Sequence, residues 1–475
     1  MAVTQDPKII SVDEAEEIAA LQAQFSRTAL LHRRIRHRTL TRVWQIALVV
    51  SACGKRLVDV LAASLCLILF SPVMLVTASL LGLSASSVFR SERRMGRWAV
   101  PFALVEFSTD GKCGGAIRGL RLHILPSLIN VARGDMSLIG PRAARPDEMN
   151  ARERAARKRS SVRPGLLSLW WLRKKANIHF GSELDIDLEY IDGHSFAGDV
   201  GIALRAIPSM LYGASSATAP ARIDVLGVPI DNLTMEESVQ YILEAATGKV
   251  ARQLCFVNTD CVNQSLRDPS YGQHLRKADL VLADGIGIRL AGKITRREFR
   301  QNVNGTDLFP RLCSRMQDSN LGLYLLGARP GIAEAFAGWV NANYPGVRVK
   351  GYRDGYFDAS QEATVLREIR ESDAAILLVA FGSPRQDLWI GDHLPELGVR
   401  LAMGVGGLFD FYSGRIPRAP QWMRELSLEW IYRLYQEPRR MWRRYLVGNA
   451  VFLSRVIVCA ILHRSETAPS VEAVR

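Results

Sequence analysis

Ala374–Pro384 reads AAILLVAFGSP, an apolar run of strand length that stops in Gly-Ser-Pro before a polar, helix-like stretch. A strand covered on both faces shows such a continuous run rather than an alternation. The same texture recurs in LCFVNTD (Leu254–Asp260), DLVLADG (Asp279–Gly285), LGLYLLGARPG (Leu321–Gly331), VRVKGYRDGYF (Val347–Phe357) and RLAMGVGG (Arg400–Gly407). Helical stretches follow these runs. Strands alternating with helices predict an α/β class: a Rossmann-like, mostly parallel sheet with helices on both faces. Such sheets bind ligands beyond the carboxyl ends of their strands, where these Gly-rich and polar tails fall.

Upstream of this region lies GASSATAPA (Gly213–Ala221), small residues without apolar periodicity, which reads as a linker. Before it, Arg90–Tyr212 is polar and basic, and Val60–Leu83 carries no charged residue. By length that run suffices to cross a bilayer. Pro72 removes a backbone donor at its middle, which predicts a bent spanning helix or one that re-enters on the same face. Arg27, Arg33, Arg34, Arg36, Arg38 and Arg42 crowd the stretch before it and keep that end cytoplasmic by the positive-inside rule. The late start and missing small-residue cleavage site argue against a cleaved signal peptide. From Trp422 onward, Trp and Tyr interleave with Arg before the apolar Val447–Leu462, which reads as an interfacial segment or an ordinary docking helix.

The organisation expected is therefore a basic extension (1–54), an α-rich membrane-associated domain (55–212) with its apolar helix at 60–83, the linker (213–221), a sheet domain (222–446) and a membrane-contacting tail (447–475). At 475 residues and 48% hydrophobic side chains the chain exceeds one core, and 23% charged residues exclude a disordered chain. A net charge of +14 calls for an anionic partner: nucleic acid, lipid, or nucleotide and diphosphate groups. No RNP signature, zinc finger or helix-turn-helix pattern supports nucleic acid. The seven Cys form no C-x-x-C and the eight His no cluster, so neither a metal site nor a disulfide framework is expected.

Several strand tails carry groups fit for chemistry. Asp284 closes a strand in ADGIG, and a carboxylate facing a crevice can serve as general base for a hydroxyl, although Asp-Gly is also a common turn. In NVNGTDL, Gly305, Thr306 and Asp307 precede a helical run, where capping by Thr306 or Asp307 is the simpler role. Gly327 and Gly331 bracket GARPG between strand and helix, a geometry suited to cradling a diphosphate. Gln386 offers a two-way amide suited to a uracil edge or sugar hydroxyl, and Asn258 and Asp260 occupy the mouth of another strand.

In this order, Asn258, the Asp-Gly, GTDL, YLLG with its Pro-Gly, GYF, FGSP with Gln386, GVGGLFDFYSG, RAPQWMRE, EWIYRL and EPRR closely resemble the WecG/TagA/CpsF glycosyltransferases (family 26) over about Ile223–Tyr445. The resemblance implies inverting transfer of a hexosyl group, often of N-acetylmannosamine type, from a UDP-sugar to a polyprenyl-diphosphate-linked sugar, with neither cofactor nor essential metal. It implies Asp284 as base, Asn258 and Gln386 as substrate contacts, Asp410 as a sugar or nucleotide contact, and Arg433, Arg440, Arg443 and Arg444 as diphosphate clamps. Phe256 stands where many members have Thr, and Gln386-Asp387 where Gln-Glu is usual.

The first half resembles the bacterial sugar transferases that load phospho-sugars onto undecaprenyl phosphate, through KRLVD (Lys55–Asp59), ERRMGR, NVARGDMSLIGPR (Asn130–Arg142), VRPG and DLEYIDGHSFAGDV. That family's Asp-Glu pair, whose Asp is the nucleophile, is replaced here by His123-Ile124, and its Lys-Phe-Arg by Glu106-Phe107-Ser108. A lost nucleophile is not a graded defect. The expectation is a degenerate domain retained as a membrane platform beside the lipid acceptor, on the cytoplasmic face of the inner membrane, in exopolysaccharide, capsule or related envelope-polymer synthesis. The alternatives are a bifunctional enzyme and a non-catalytic scaffold. Membrane lipid is an expected partner, nucleic acid is not, and homo-oligomerisation stays open.

Overall fold

The computed structural model describes residues 27–84, 87–110, 114–119, 121–148, 154–178, 182–211 and 220–466, together with 16 and 19. Residues 1–15, 17–18 and 20–26 of the basic extension, the linker through Ala219 and the last nine residues of the tail lie outside the described residues.

The first half holds two short strand pairs, β1 (Phe89–Met95) with β2 (Pro101–Phe107) and β3 (Ser137–Ile139) with β4 (Gly165–Leu167), and an eight-stranded sheet organises the second half. The strands of that sheet are β5 (Arg222–Val225), β6 (Val228–Asp231), β7 (Arg252–Val257), β8 (Leu280–Ala283), β9 (Gly322–Gly327), β10 (Arg348–Arg353), β11 (Ile376–Ala380) and β12 (Leu401–Gly404), in the order β10-β9-β11-β12-β7-β8-β6-β5. All pairings are parallel except β5 with β6. The six runs read from the sequence are β7–β12, and β8, β9, β11 and β12 are buried at every residue, as continuous apolar runs require.

The β5–β6 hairpin lies upstream of those runs. Its Ile223, Val225, Val228 and Ile230 alternate inward, and Leu226 and Gly227, both with positive φ, form the two-residue turn. Strand order reverses about β7, which lies between β12 and β8, so the loops after these strands open a crevice at one end of the sheet.

In the first half a helix of 58 residues, Arg27–Ser84, continues through Pro72. Proline there removes the donor to the carbonyl of Ile68, and the Ser71 hydroxyl donates to that same oxygen at 2.7 Å. KRLVD anchors the helix. The buried Asp59 accepts from Ser137 Oγ (2.7 Å) and from the amide of Leu138, Arg56 donates to the carbonyls of Val131 and Ala132, and Lys55 donates to that of Ile139. Leu57 within this anchor, and Leu61, Leu65 and Ile68 beyond it, remain more than 60% exposed. Cys53–Leu83 and Pro438–Leu462 are both long and apolar enough to cross a membrane.

The C-terminal helix, Gly448–Glu466, docks on the sheet domain. Phe452 and Val456 are buried in the core formed with β7 and β8 residues, and Asn263 Nδ2 donates to the carbonyl of Gly448. Ile457 and Val458 face outward.

Candidate active site

A cleft of about 720 Å³ opens at the carboxyl ends of β7, β8, β9, β11 and β12. Asn258, Asp284, Gly305, Asp307, Gln386, Asp410, Arg433, Arg440 and Arg444 all reach its wall. Asp284 immediately follows β8, its backbone amide held by the carbonyl of Val257 and the next amide, Gly285, by Asn302 Oδ1 at 2.7 Å. Gly285 adopts φ +95°, a turn that aims the carboxyl-bearing end of the strand into the crevice and that glycine adopts without strain. Burial, reinforced by the negative charge of Glu429, pushes the Asp284 carboxyl up to about 6, while Arg444 and Arg433 pull the other way. A carboxylate balanced near neutrality accepts a hydroxyl proton more readily than an ordinary one.

Other cleft residues shape the wall. Asn258 caps the helix Thr259–Arg267, its side-chain oxygen accepting from the amides of Asp260 and Cys261. Gln386 is buried, and its oxygen accepts from the amides of Gly382 (3.1 Å) and Gly406 (3.0 Å), while its nitrogen donates to Ser383. Its carbonyl is thus committed to joining two loops rather than free to read a base edge.

The helix Gly305–Met316 is capped by Asn304, not by Thr306 or Asp307, because Asn304 precedes the first turn and its oxygen reaches the Asp307 amide at 2.7 Å. Asp307 instead pairs with Arg418 at 2.8 Å, and Arg418 also reaches Glu429 at 3.3 Å. Asp410 is paired with Arg415 at 2.6 Å.

Four expected site residues lie off the cleft wall. Asp260 sits behind it and holds Arg444 at 3.3 Å. Gly327 packs against the backbone of Ala380, where a Cβ would meet atoms at 2.8 Å, and Gly331 is exposed at the start of the helix Ile332–Asn343. The GARPG residues on the wall are Ala328 and Arg329. Arg443 turns onto the Trp442 ring, 5.3 Å from its centroid.

The sequence reading assigned no role to Glu429, Arg415, Arg418 or Arg424. All but Arg418 line the cleft; RAPQWMRE and the following EWIYRL carry Arg418, Arg424 and Glu429, and Arg415 directly follows GVGGLFDFYSG. The Nε atoms of Arg424 and Arg433 are buried there without a hydrogen-bond partner, donors suited to an anionic ligand. Among the described residues no three His, Cys, Asp or Glu side chains are grouped to hold a metal ion.

The glycosyl transferase WecG/TagA/CpsF family model matches residues 223–466, and the bacterial sugar transferase family model matches residues 50–213. The chain is similar to the N-acetylglucosaminyldiphosphoundecaprenol N-acetyl-beta-D-mannosaminyltransferase of Bacillus subtilis (strain 168), 28% identical over 220 residues, which cover 46% of this chain and 85% of that protein. Proteins of the same name from Bacillus spizizenii and Staphylococcus aureus (strain MW2) are 32% identical over 183 residues and 29% over 238. The first match covers 38% of this chain and 70% of the relative, the second 50% and 92%.

Proposed function

The chain belongs to the glycosyl transferase WecG/TagA/CpsF family, and on that premise we propose that it moves a hexosyl group, of N-acetylmannosamine type, from a UDP-sugar to a polyprenyl-diphosphate-linked sugar. The observation that carries this reading is Asp284, a carboxyl pushed up to about 6 at the mouth of a central strand, in a cleft lined by arginines. The acceptor hydroxyl attacks the anomeric carbon as Asp284 takes its proton. The bond to the UDP oxygen breaks on the opposite face, inverting the centre, and the charge developing on UDP falls to arginines such as Arg424 and Arg433. Arg444 and Glu429 set the basicity of Asp284, and Gln386 fixes the loops that border the cleft.

On this reading the first half (55–212) is a membrane platform for the second (222–446). Its segment Leu122–Ser127 carries His123 and Ile124 where the resemblance calls for an Asp-Glu pair, and neither side chain supplies a carboxylate nucleophile. The exposed apolar residues of the long helix and the outward face of the C-terminal helix favour lipid contact. A UDP-sugar donor places the reaction on the cytoplasmic face, in exopolysaccharide or related envelope-polymer synthesis. Tethering at the surface that holds the acceptor raises its effective concentration.

The test is product identity with detergent-solubilised full chain. UDP released from the sugar nucleotide only when a polyprenyl-diphosphate sugar is supplied, and not by Asp284→Asn, is expected. UMP released with polyprenyl phosphate would overturn the assignment of the first half.

A further inference from the structure

The two halves meet beside the catalytic carboxylate. The helix Leu169–Ala176 of the first half ends at Asn177, whose φ of +57° reverses the chain, and the following Ile178 is only 1% exposed and lines the cleft together with Ala176. Asn177 Nδ2 donates to the carbonyl of Asn302 at 2.7 Å. The side chain of that same Asn302 holds the amide of Gly285, the residue after Asp284. From the other side, Arg311 donates to the carbonyls of Asn177 and Ile178. A second contact locks the same junction: Glu425, 4% exposed, is held between Arg173 (3.3 Å) and Arg205 (2.5 Å) of the first half, just ahead of the helix Glu429–Gln436 that carries Glu429 and Arg433.

We infer that the first half builds part of the glycosyltransferase site, with Asn177 as a positioning residue that fixes Asn302 and, through it, the Asp284–Gly285 turn. This inference deepens the function proposed above and rests on it for its kinetic readout. A platform that only tethered would touch the second half anywhere on its surface. Here the contact falls on the segment that orients the base and on the segment that brings the arginines. Asn302 joins the first half to the base in a chain of hydrogen bonds, Asn177 to Asn302 to Gly285. Ile178 excludes water at the same edge, so a loosened junction also wets the base.

Two variants in the full chain isolate the side chain from the fold. Asn177→Gly keeps the left-handed turn, which glycine adopts freely, and removes only the amide. Asn177→Asp keeps the shape but turns an acceptor toward the Asn302 carbonyl. Misplacement of a reacting group by a fraction of an ångström lowers kcat more than KM, so Asn177→Gly is expected to lose about tenfold in kcat with little change in donor KM, and Asn177→Asp more. The acidic limb of the kcat profile moves to lower pH in Asn177→Gly as the base becomes hydrated.

Hydrogen exchange at the Gly285 and Val303 amides, without substrate, rises about tenfold in Asn177→Gly while the melting temperature holds. Wild-type kcat and pH profile in both variants would overturn the inference, as would unchanged exchange at these amides. If the wild-type chain itself gave no turnover, the proposed reaction would fail, and the exchange measurement would still decide the role of Asn177.

Discussion

Asp284→Asn separates the base's chemical role from its thermodynamic burden. The carboxyl's rise from its ordinary 3.8 to about 6 corresponds to about 3 kcal/mol. Because Asp284 keeps some solvent access, roughly 2 kcal/mol is the safer expectation. The sign follows from linkage. A carboxyl that holds its proton more tightly when folded makes the folded state lose stability as pH rises from about 4 through about 6, and the whole penalty stands above that. An isosteric amide carries no such penalty.

The variant is therefore expected to melt roughly 4–8 °C above the wild type at pH 7.5, at about 2–4 °C per kcal/mol for a domain of this size, and to lose that advantage near pH 4. Its turnover falls at least about a hundredfold. Differential scanning fluorimetry of the detergent-solubilised chain at the two pH values reads the first quantity, and UDP release reads the second. An equal melting temperature at pH 7.5, or a gain that persists unchanged at pH 4, would refute the buried, strained carboxyl. Retained turnover would refute the base.

Glu429→Gln removes the charge that most raises Asp284, so the acidic limb of kcat is expected to fall by roughly half a pH unit to one unit; a pH–rate profile that does not move would count against their coupling. Gln386→Ala strands the amides of Gly382 and Gly406, and a loss of about tenfold or more in kcat/KM with a melting temperature several degrees lower is expected from steady-state kinetics and a thermal scan. In the C-terminal helix, Phe452→Ala is expected to destabilise by about 3–4 kcal/mol in chemical denaturation. The outward pair Ile457→Ser and Val458→Ser should leave the melting temperature within about a degree while weakening flotation with anionic vesicles.

The sheet was legible because its central strands are buried on both faces and write continuous apolar runs. The β5–β6 hairpin, at an edge, instead writes an alternation of four residues across a Leu-Gly turn, a signal too short to stand out beside them. Asp284 was legible because a strand that ends in Asp-Gly at the open end of a parallel sheet has few places to put its carboxyl. The fate of Gln386 was not, since only the fold shows which acceptor its oxygen meets, and two loop amides twenty-four residues apart reach it first. Asp260 and Arg443 stood next to cleft residues in sequence, but on a helix adjacent positions point about 100° apart, so neighbours divide between the wall and the space behind it. Asn177 was beyond reach for a different reason: its importance comes from docking between halves, and neither half's own periodicity records it.

The pairing of the two halves gives a physical reason for keeping a first half whose segment reads His123-Ile124. Had it served only as an anchor, the long apolar helix and the KRLVD contacts that seat it would suffice, and a buried Glu425 between two arginines of the first half would be a liability. Removing both arginines leaves the Glu425 carboxylate stranded out of water, a loss of about 3–5 kcal/mol. Once formed, such a cluster keeps its charges satisfied only while the two halves stay docked. Asn177 and Ile178 stand at that junction, against the segment behind Asp284. Under the proposed function, in which the first half is the membrane platform, that same half also sets the geometry of the base. The distance from lipid surface to reacting carboxylate is then fixed by the fold rather than by a flexible linker. An acceptor whose sugar is presented at one depth would be matched by a site held at one height, which an anchor on a slack tether does not achieve.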